Sequence, residues 1–202
     1  MVSGRNNGRS LLQNGGIKMK RKILIIGAGG IGSFLIPLLD KTGLYTISVS
    51  DPDTVDTKNL PYQNFTEDEV GELKVMALQK RYPISPSKFP ILTDGQIQGY
   101  DLVVCCVDNL SARRMLYRSN IAWLDLRSQA RNAAYVSYKA DPKMYDTMLA
   151  GPDGSFSCQG DSWDGSTEGV HFLQVAIAGM GAEWVQRWFN DEEVNGFAVI
   201  NV

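Results

Sequence analysis

The chain has 202 residues, 44% of them hydrophobic, and 20 Lys and Arg against 22 Asp and Glu give a net charge of −2. That length suits one domain with a real core, and that balance excludes the strong basic field of a nucleic-acid or membrane-surface binder. No apolar run approaches the roughly 20 residues needed to span a bilayer, and three cysteines, two of them adjacent, do not make a disulfide framework. With no apolar secretory core in the first 18 residues, a cytoplasmic location is expected.

Residues 1–18, with Gly, Asn and Arg, read as a flexible tail, and Met19 is a plausible alternative start. Residues 19–202 read as a single domain. Ile23, Leu24, Ile25 and Ile26, bounded by Lys22 and Gly27, suit a strand buried on both faces of a parallel sheet. Gly27, Gly29 and Gly32 carry the G-x-G-x-x-G spacing, with Gly30 between them. The first permits a tight turn, the second a close approach to phosphate, and the third close packing of helix on strand. A helix over 31–39, with Pro37 inside it, would point its free N–H groups at that loop and form an anion site. Residues 45–49 give a second strand, and Asp51, 19 positions after Gly32, lies where a carboxylate can hold ribose hydroxyls.

A polar loop follows over 51–65. Thr66 to Glu69 reads as a capping box opening a helix that runs to about Arg81. Three prolines then make a stiff connection with a short strand near 89–92. Residues 100–107 form another buried strand, followed by Asp108 and Asn109, a helix over 111–120 and a strand over 121–126. Alternating Ala134, Val136 and Tyr138 suggest a strand that leaves the parallel pattern. Residues 141–169 are rich in Gly, Asp and Ser, hence a loop; 170–189 form a long helix, and 197–202 an edge strand. Strands alternating with helices predict an α/β, doubly wound, Rossmann-like sheet, mostly parallel, with helices on both faces and antiparallel C-terminal strands.

Single residues carry two readings each. Cys158 is either a thioester- or persulfide-forming nucleophile or an ordinary loop thiol. Cys105 and Cys106 read as core, and His171 as a residue that caps or packs the last helix rather than an acid–base group. Asp108, at a strand's C-terminal end, favours a site role over a helix cap. Asp53 and Asp56 have a plain reading as residues that shape their turn. Lys74 taken alone is a solvated helix lysine. Trp184, Trp188 and Phe189, with Val175 and Ile177, suit packing or a dimer surface.

The segment Asp51-x-Asp53-x-Val55-x-x-x-Asn59-Leu60-x-x-Gln63 resembles the D-x-D-x-V-x-x-x-N-L-x-R-Q signature of the ThiF/MoeB/ubiquitin-activating superfamily. Gly71 to Val75 is similar to that family's G-x-x-K helix, and Cys106-Val107-Asp108-Asn109 with Arg113 to its C-T-D-N…R segment. The resemblance implies an adenylyltransferase that activates the C-terminal glycine of a ubiquitin-like or sulfur-carrier protein ending in Gly-Gly, with ATP and Mg²⁺, as a homodimer. It implies that Gly27, Gly29, Gly30 and Gly32 line the nucleotide loop, that Asp51 holds ribose beside Asp53, and that Asn59, Gln63 and Lys74 meet the phosphates. Asp108 would hold magnesium beside Asn109. Such roles suit the reaction, because charge developing on the α-phosphate calls for an ammonium, amides and a hard metal ion.

The sequence also departs from that pattern. Tyr62 stands where the signature has Arg. The N-terminal helix that lends a second Arg across the dimer is not recognisable before residue 22, leaving Arg5, Arg9, Arg113, Arg127 and Arg131 as candidates to compensate. Paired C-x-x-C motifs are absent and one Cys cannot complete a four-ligand site, so no zinc is expected. Two rival readings therefore stand beside the first: a catalytically weak or inactive relative that binds nucleotide or a partner, and an NAD-dependent oxidoreductase. The Gly loop and Asp51 alone allow the oxidoreductase, although no Tyr-x-x-x-Lys or His-centred hydride site is apparent.

Overall fold

The strands lie in the order β3-β2-β1-β4-β5-β6-β7 in one seven-stranded sheet of the computed structural model, which describes residues 20–149, 158–160 and 163–202. β1 (Arg21–Ile26), β2 (Tyr45–Ser50), β3 (Ser85–Ser87), β4 (Leu102–Cys105) and β5 (Trp123–Gln129) run parallel. β6 (Asn132–Ser137) and β7 (Phe197–Asn201) pair antiparallel beyond β5. The helices are α1 (Gly32–Asp40), α2 (Lys74–Arg81), α3 (Leu110–Arg118), α4 (Pro142–Met148) and α5 (Leu173–Phe189).

Alternation along the central strands divides the core between the two faces of the sheet. Ile23, Ile25, Leu102, Val104, Leu124 and Leu126 join α1 and α5 on one side, whereas Leu24, Ile26, Val103, Cys105 and Trp123 meet α3 and α4 on the other. A two-sided covering is why these strands are apolar throughout. Both Cys105 and Cys106 are core residues. The chain leaves β1 for β2 on one side and later crosses to β4 on the other, so the order reverses beside β1. Ligand crevices form at such a point, outside the carboxyl ends of the strands.

Four expectations shift. The Thr66–Glu69 box exists, with the Thr66 N–H donating to Glu69 Oε2 at 2.9 Å, but it encloses only a 3-10 turn. Gly71 then adopts a φ of +87°, which breaks the run, and α2 restarts at Lys74. The short strand after Pro83 is Ser85–Ser87 rather than 89–92; Pro86 is tolerated there because β3 is an edge. Residues 142–148 form a helix inside the expected loop. Asp141 Oδ1 accepts the Lys143 N–H at 3.0 Å and Pro142 occupies the first turn, a start signal masked by the Gly-rich residues beyond. Finally α5 begins at Leu173 rather than at residue 170.

Trp184 is buried and Val175 exposed on α5. The expected tail over 1–18 lies outside the described residues. Among those described, no helix is long and apolar enough to cross a membrane.

Candidate functional site

A cleft of about 230 Å³ opens at the carboxyl ends of β1, β4 and β5. Gly27, Gly29, Gly30, Asp51, Asp53, Asn59, Gln63, Lys74 and Asp108 all line it, together with Tyr62, Arg113, Arg127, Ser128 and Cys158. Of the site residues expected from sequence, only Gly32 and Asn109 lie off its wall.

The loop is built around its glycines. Gly27 has a φ of +95°, and a Cβ there would come within 2.7 Å of Val107 Cγ1. At Gly32 a Cβ would lie 2.0 Å from the Gly27 carbonyl oxygen. Only hydrogen fits, so α1 starts tight against the loop, and Gly29, Gly30 and Ile31 just before it line the cleft. Gly29 differs, since the nearest atom to a Cβ would be Gln63 Nε2 at 3.8 Å. That open space at the cleft wall would admit a close backbone approach by a ligand.

Asp51 closes the loop from β2. Its Oδ2 accepts the Ala28 N–H at 2.6 Å and its Oδ1 the Asp53 N–H at 2.8 Å. Burial raises its pKa despite those amides and the nearby Lys74. Lys74 opens α2, its N–H bound to the Asp53 carbonyl and its Nζ 3.1 Å from Asp53 Oδ2. The Lys74 side chain is 7% exposed and that of Asp53 66%. The ammonium therefore faces the cleft interior, while its partner remains hydrated.

Asn59 is committed largely to shape. Its Oδ1 accepts the Asp56 N–H at 3.2 Å, and its Nδ2 donates to the Tyr62 hydroxyl at 3.1 Å. Gln63 is buried, and among the described residues its Oε1 has no hydrogen-bond partner; Ser128 Oγ, across the cleft, has none either. Buried polar atoms left in this way are rare in folded chains, and they gather where ligands bind. Asn109 instead caps α3, accepting the Ser111 and Ala112 N–H groups at 2.8 and 3.1 Å. Asp108, one residue earlier, is exposed at the cleft.

Two guanidiniums form the far wall. Arg113 Nε lies 3.3 Å from Asp125 Oδ1, and Arg127 Nη2 lies 2.8 Å from Asp125 Oδ2. Tyr117 donates its hydroxyl proton to Asp125 Oδ2 at 2.7 Å and accepts from Arg127 Nη2 at 2.8 Å. Burial works hardest against the charge on Arg113, but Asp125 together with Cys105, Tyr117 and Asp108 leaves its pKa raised. Burial and then Asp125 raise the Tyr117 pKa, so that phenol stays neutral. Of the arginines named as candidates to compensate for Tyr62, Arg113 and Arg127 reach the cleft. Arg131 sits exposed after the β5 strand end, and Arg5 and Arg9 lie outside the described residues. Asp125 is the residue that sequence reasoning missed. The i, i+2 pair of Asp125 and Arg127 on one face of a buried strand was the available signal.

Cys158 packs over the loop: a Cβ on Gly30 would lie 2.9 Å from its Sγ. Burial, then Asp108, pushes its thiol up to about 12. That favours the ordinary-thiol reading, because a thiolate is the nucleophile. His171 is held through its backbone, its N–H donating to Gln159 Oε1 and its carbonyl accepting from Gln159 Nε2.

A second, more apolar hollow of about 280 Å³ adjoins the first along Gly27, Asp51 and Val107, and Ile91, Leu92 and Met115 line it. The residues fit a nucleotide: an apolar slot for a base, a carboxylate at ribose position, and a glycine loop with an ammonium for phosphates.

The family model described as "ThiF family" matches residues 16–185. The chain belongs to the ThiF family. It is 37% identical over 112 residues to an adenylyltransferase and sulfurtransferase UBA4 of Candida albicans, covering 50% of this chain and 26% of that protein. It is 35% identical over 105 residues to the NEDD8-activating enzyme E1 catalytic subunit of Caenorhabditis elegans, covering 47% and 24%. The chain thus spans about a quarter of the length of these curated relatives. Its fold resembles that of E. coli MccB, with a TM-score of 0.64 at 19% identity over 92% of this chain and 60% of MccB. The ThiF fold thus matches the Rossmann-like sheet expected from the strand and helix pattern, including its antiparallel C-terminal strands.

Proposed function

We propose that this ThiF-family chain binds ATP with magnesium in the double cleft and adenylates the C-terminal glycine of a small ubiquitin-fold or sulfur-carrier protein ending in Gly-Gly, acting as a homodimer. The observation that carries this reading is that Lys74 and Asp108, 34 positions apart, line one cleft with the glycine loop and Asp51. The base would occupy the hollow beside Ile91 and Met115, and Asp51 would take the ribose hydroxyls. Amides of the glycine loop would face the phosphates with Lys74.

In the reaction, a carboxylate oxygen of the carrier attacks the α-phosphorus. An acyl–phosphate bond forms as the bond to the β-phosphate oxygen breaks, and pyrophosphate leaves with the electron pair. Orientation and charge stabilisation are what the chain supplies. Magnesium, when bound, neutralises charge on the phosphates. Among the described residues no group of three or more His, Cys, Asp or Glu could hold a metal. Asp108 would be a hard ligand for it, which suits an ion held by one carboxylate with phosphates and waters.

Tyr62 at the signature's Arg position favours one second reading, a relative that binds nucleotide but turns over weakly. The nicotinamide alternative draws no support from the activating enzymes and adenylyltransferases that the chain resembles. The deciding assay is pyrophosphate release from ATP-Mg with and without a Gly-Gly-ended carrier. Carrier-dependent release is expected. Stabilisation by ATP-Mg without release would favour the weak relative, and stabilisation by NAD but not ATP would end the proposal.

A further inference from the structure

Tyr62 is the conspicuous departure in the cleft, and its surroundings define what it can do. Its ring meets the edge of Trp163 with centroids 5.1 Å apart and planes at 84°. Its backbone is fixed at both ends: the N–H donates to the Asn59 carbonyl at 3.2 Å, and its carbonyl accepts from Gln174 Nε2 at 3.1 Å. The ring contact with Trp163 and the hydrogen bond from Asn59 hold the half-buried side chain at the cleft. The hydroxyl accepts a hydrogen bond from Asn59 Nδ2 at 3.1 Å.

A phenol has one donor proton and two acceptor lone pairs. Asn59 fills an acceptor position and thereby orients the group. The proton has no acceptor among the described residues. Around it the cleft wall offers Lys74, Gln63 and the glycine loop, the groups placed to meet an anion. The chemistry left open is donation to a negatively charged oxygen, which shortens and strengthens such a bond relative to a neutral acceptor.

We propose that the Tyr62 hydroxyl, oriented by Asn59, donates its proton to a phosphate oxygen of the nucleotide bound in this cleft. Tyr62 is thus a binding residue that replaces a charged clamp by a neutral one. The inference rests on the nucleotide reading above and goes beyond it by assigning the site's departure a role. A neutral donor supplies direction without adding a charge to a wall that already holds Lys74, Arg113 and Arg127.

The test is Tyr62→Phe, which keeps the ring against Trp163 and deletes only the hydroxyl. Dissociation constants for ATP-Mg and for adenosine are measured by titration calorimetry on the full chain, wild type and variant. The expected result is affinity for ATP-Mg weaker by about 10- to 100-fold, as for loss of a bond to a charged acceptor, with adenosine affinity unchanged and a melting temperature lowered only by the loss of the Asn59 Nδ2 acceptor. Unchanged ATP-Mg affinity in the variant, with the wild type binding normally, overturns the role of Tyr62 and leaves the nucleotide site standing. Equal losses for ATP and adenosine also overturn it, since that pattern marks a general disturbance of the cleft. A wild type that does not bind ATP-Mg at all overturns both this role and the proposed function.

Discussion

The Asp51 carboxylate accepts the Ala28 N–H at 2.6 Å, joining the end of β2 to the glycine loop after β1. The same carboxylate receives the Asp53 N–H at 2.8 Å, so one side chain shapes both the loop and the start of the next turn. A ribose would meet an acceptor already rigidly aimed. Asp51→Ala leaves two amides without their acceptor, at about 1–3 kcal/mol for such a group. Chemical denaturation is expected to show a loss of that order, and ATP titration a Kd at least about 10-fold weaker. Full stability in the variant would mean that the loop is held by its glycines alone.

Gly29 and Gly32 are expected to respond in opposite ways to the same added methyl. Gly32→Ala drives a Cβ to within 2.0 Å of backbone oxygen at Gly27. Such overpacking costs at least about 2 kcal/mol. In Gly29→Ala the added carbon finds its nearest neighbour at 3.8 Å, and the chain keeps its stability or gains under about 1 kcal/mol. Nucleotide affinity nevertheless falls, because the methyl fills the approach to phosphate. Melting curves with and without ATP-Mg separate the two effects.

Asp125→Ala removes the carboxylate that two buried guanidiniums share. Breaking a buried ionic pair by deleting one partner costs about 3–5 kcal/mol, since the remaining charge keeps its desolvation penalty. Urea unfolding of the variant is the direct measurement. A loss under about 1 kcal/mol would show that water reaches Arg113 and Arg127 freely.

The thiols are expected to make stability fall in alkali. Burial raises Cys105 and Cys158 to about 12, and raises Cys106 as well. A raised value means that the fold prefers the protonated thiol. Its contribution is therefore complete below the unfolded value of about 8.5 and is lost as pH climbs toward 12. Tyr45 and Tyr117, also raised by burial, act in the same direction above about pH 10. Denaturation midpoints should decline between pH 9 and 11, and Cys158→Ser should flatten part of that decline. Iodoacetamide at pH 7.5 is expected to label native Cys158 far more slowly than the unfolded chain.

Local rules carried the reading furthest where the backbone itself was the constraint. A four-residue Ile/Leu run and glycines at fixed spacing announce strand and loop, because each depends on sterics within a few residues. The capping box at Thr66 was equally visible, yet Gly71 cut its helix short. Asn109 shows the opposite limit: its spacing places it beside the site, and its side chain is spent on the first turn of α3.

By itself, the sequence determined the parallel core, the tight glycine loop and most of the side chains that line the cleft, since periodicity and glycine sterics act within one element. Tertiary structure alone decided that Lys74 and Asp108 share a cleft, that Arg127 joins Arg113 on Asp125, and that Tyr62 is fixed by Trp163, Gln174 and Asn59. Lys74, Arg113 and Asp125 stand on α2, α3 and β5, and Asp108, Tyr62 and Trp163 on separate loops. The distances between them are set by crossovers and packing, which no local pattern encodes.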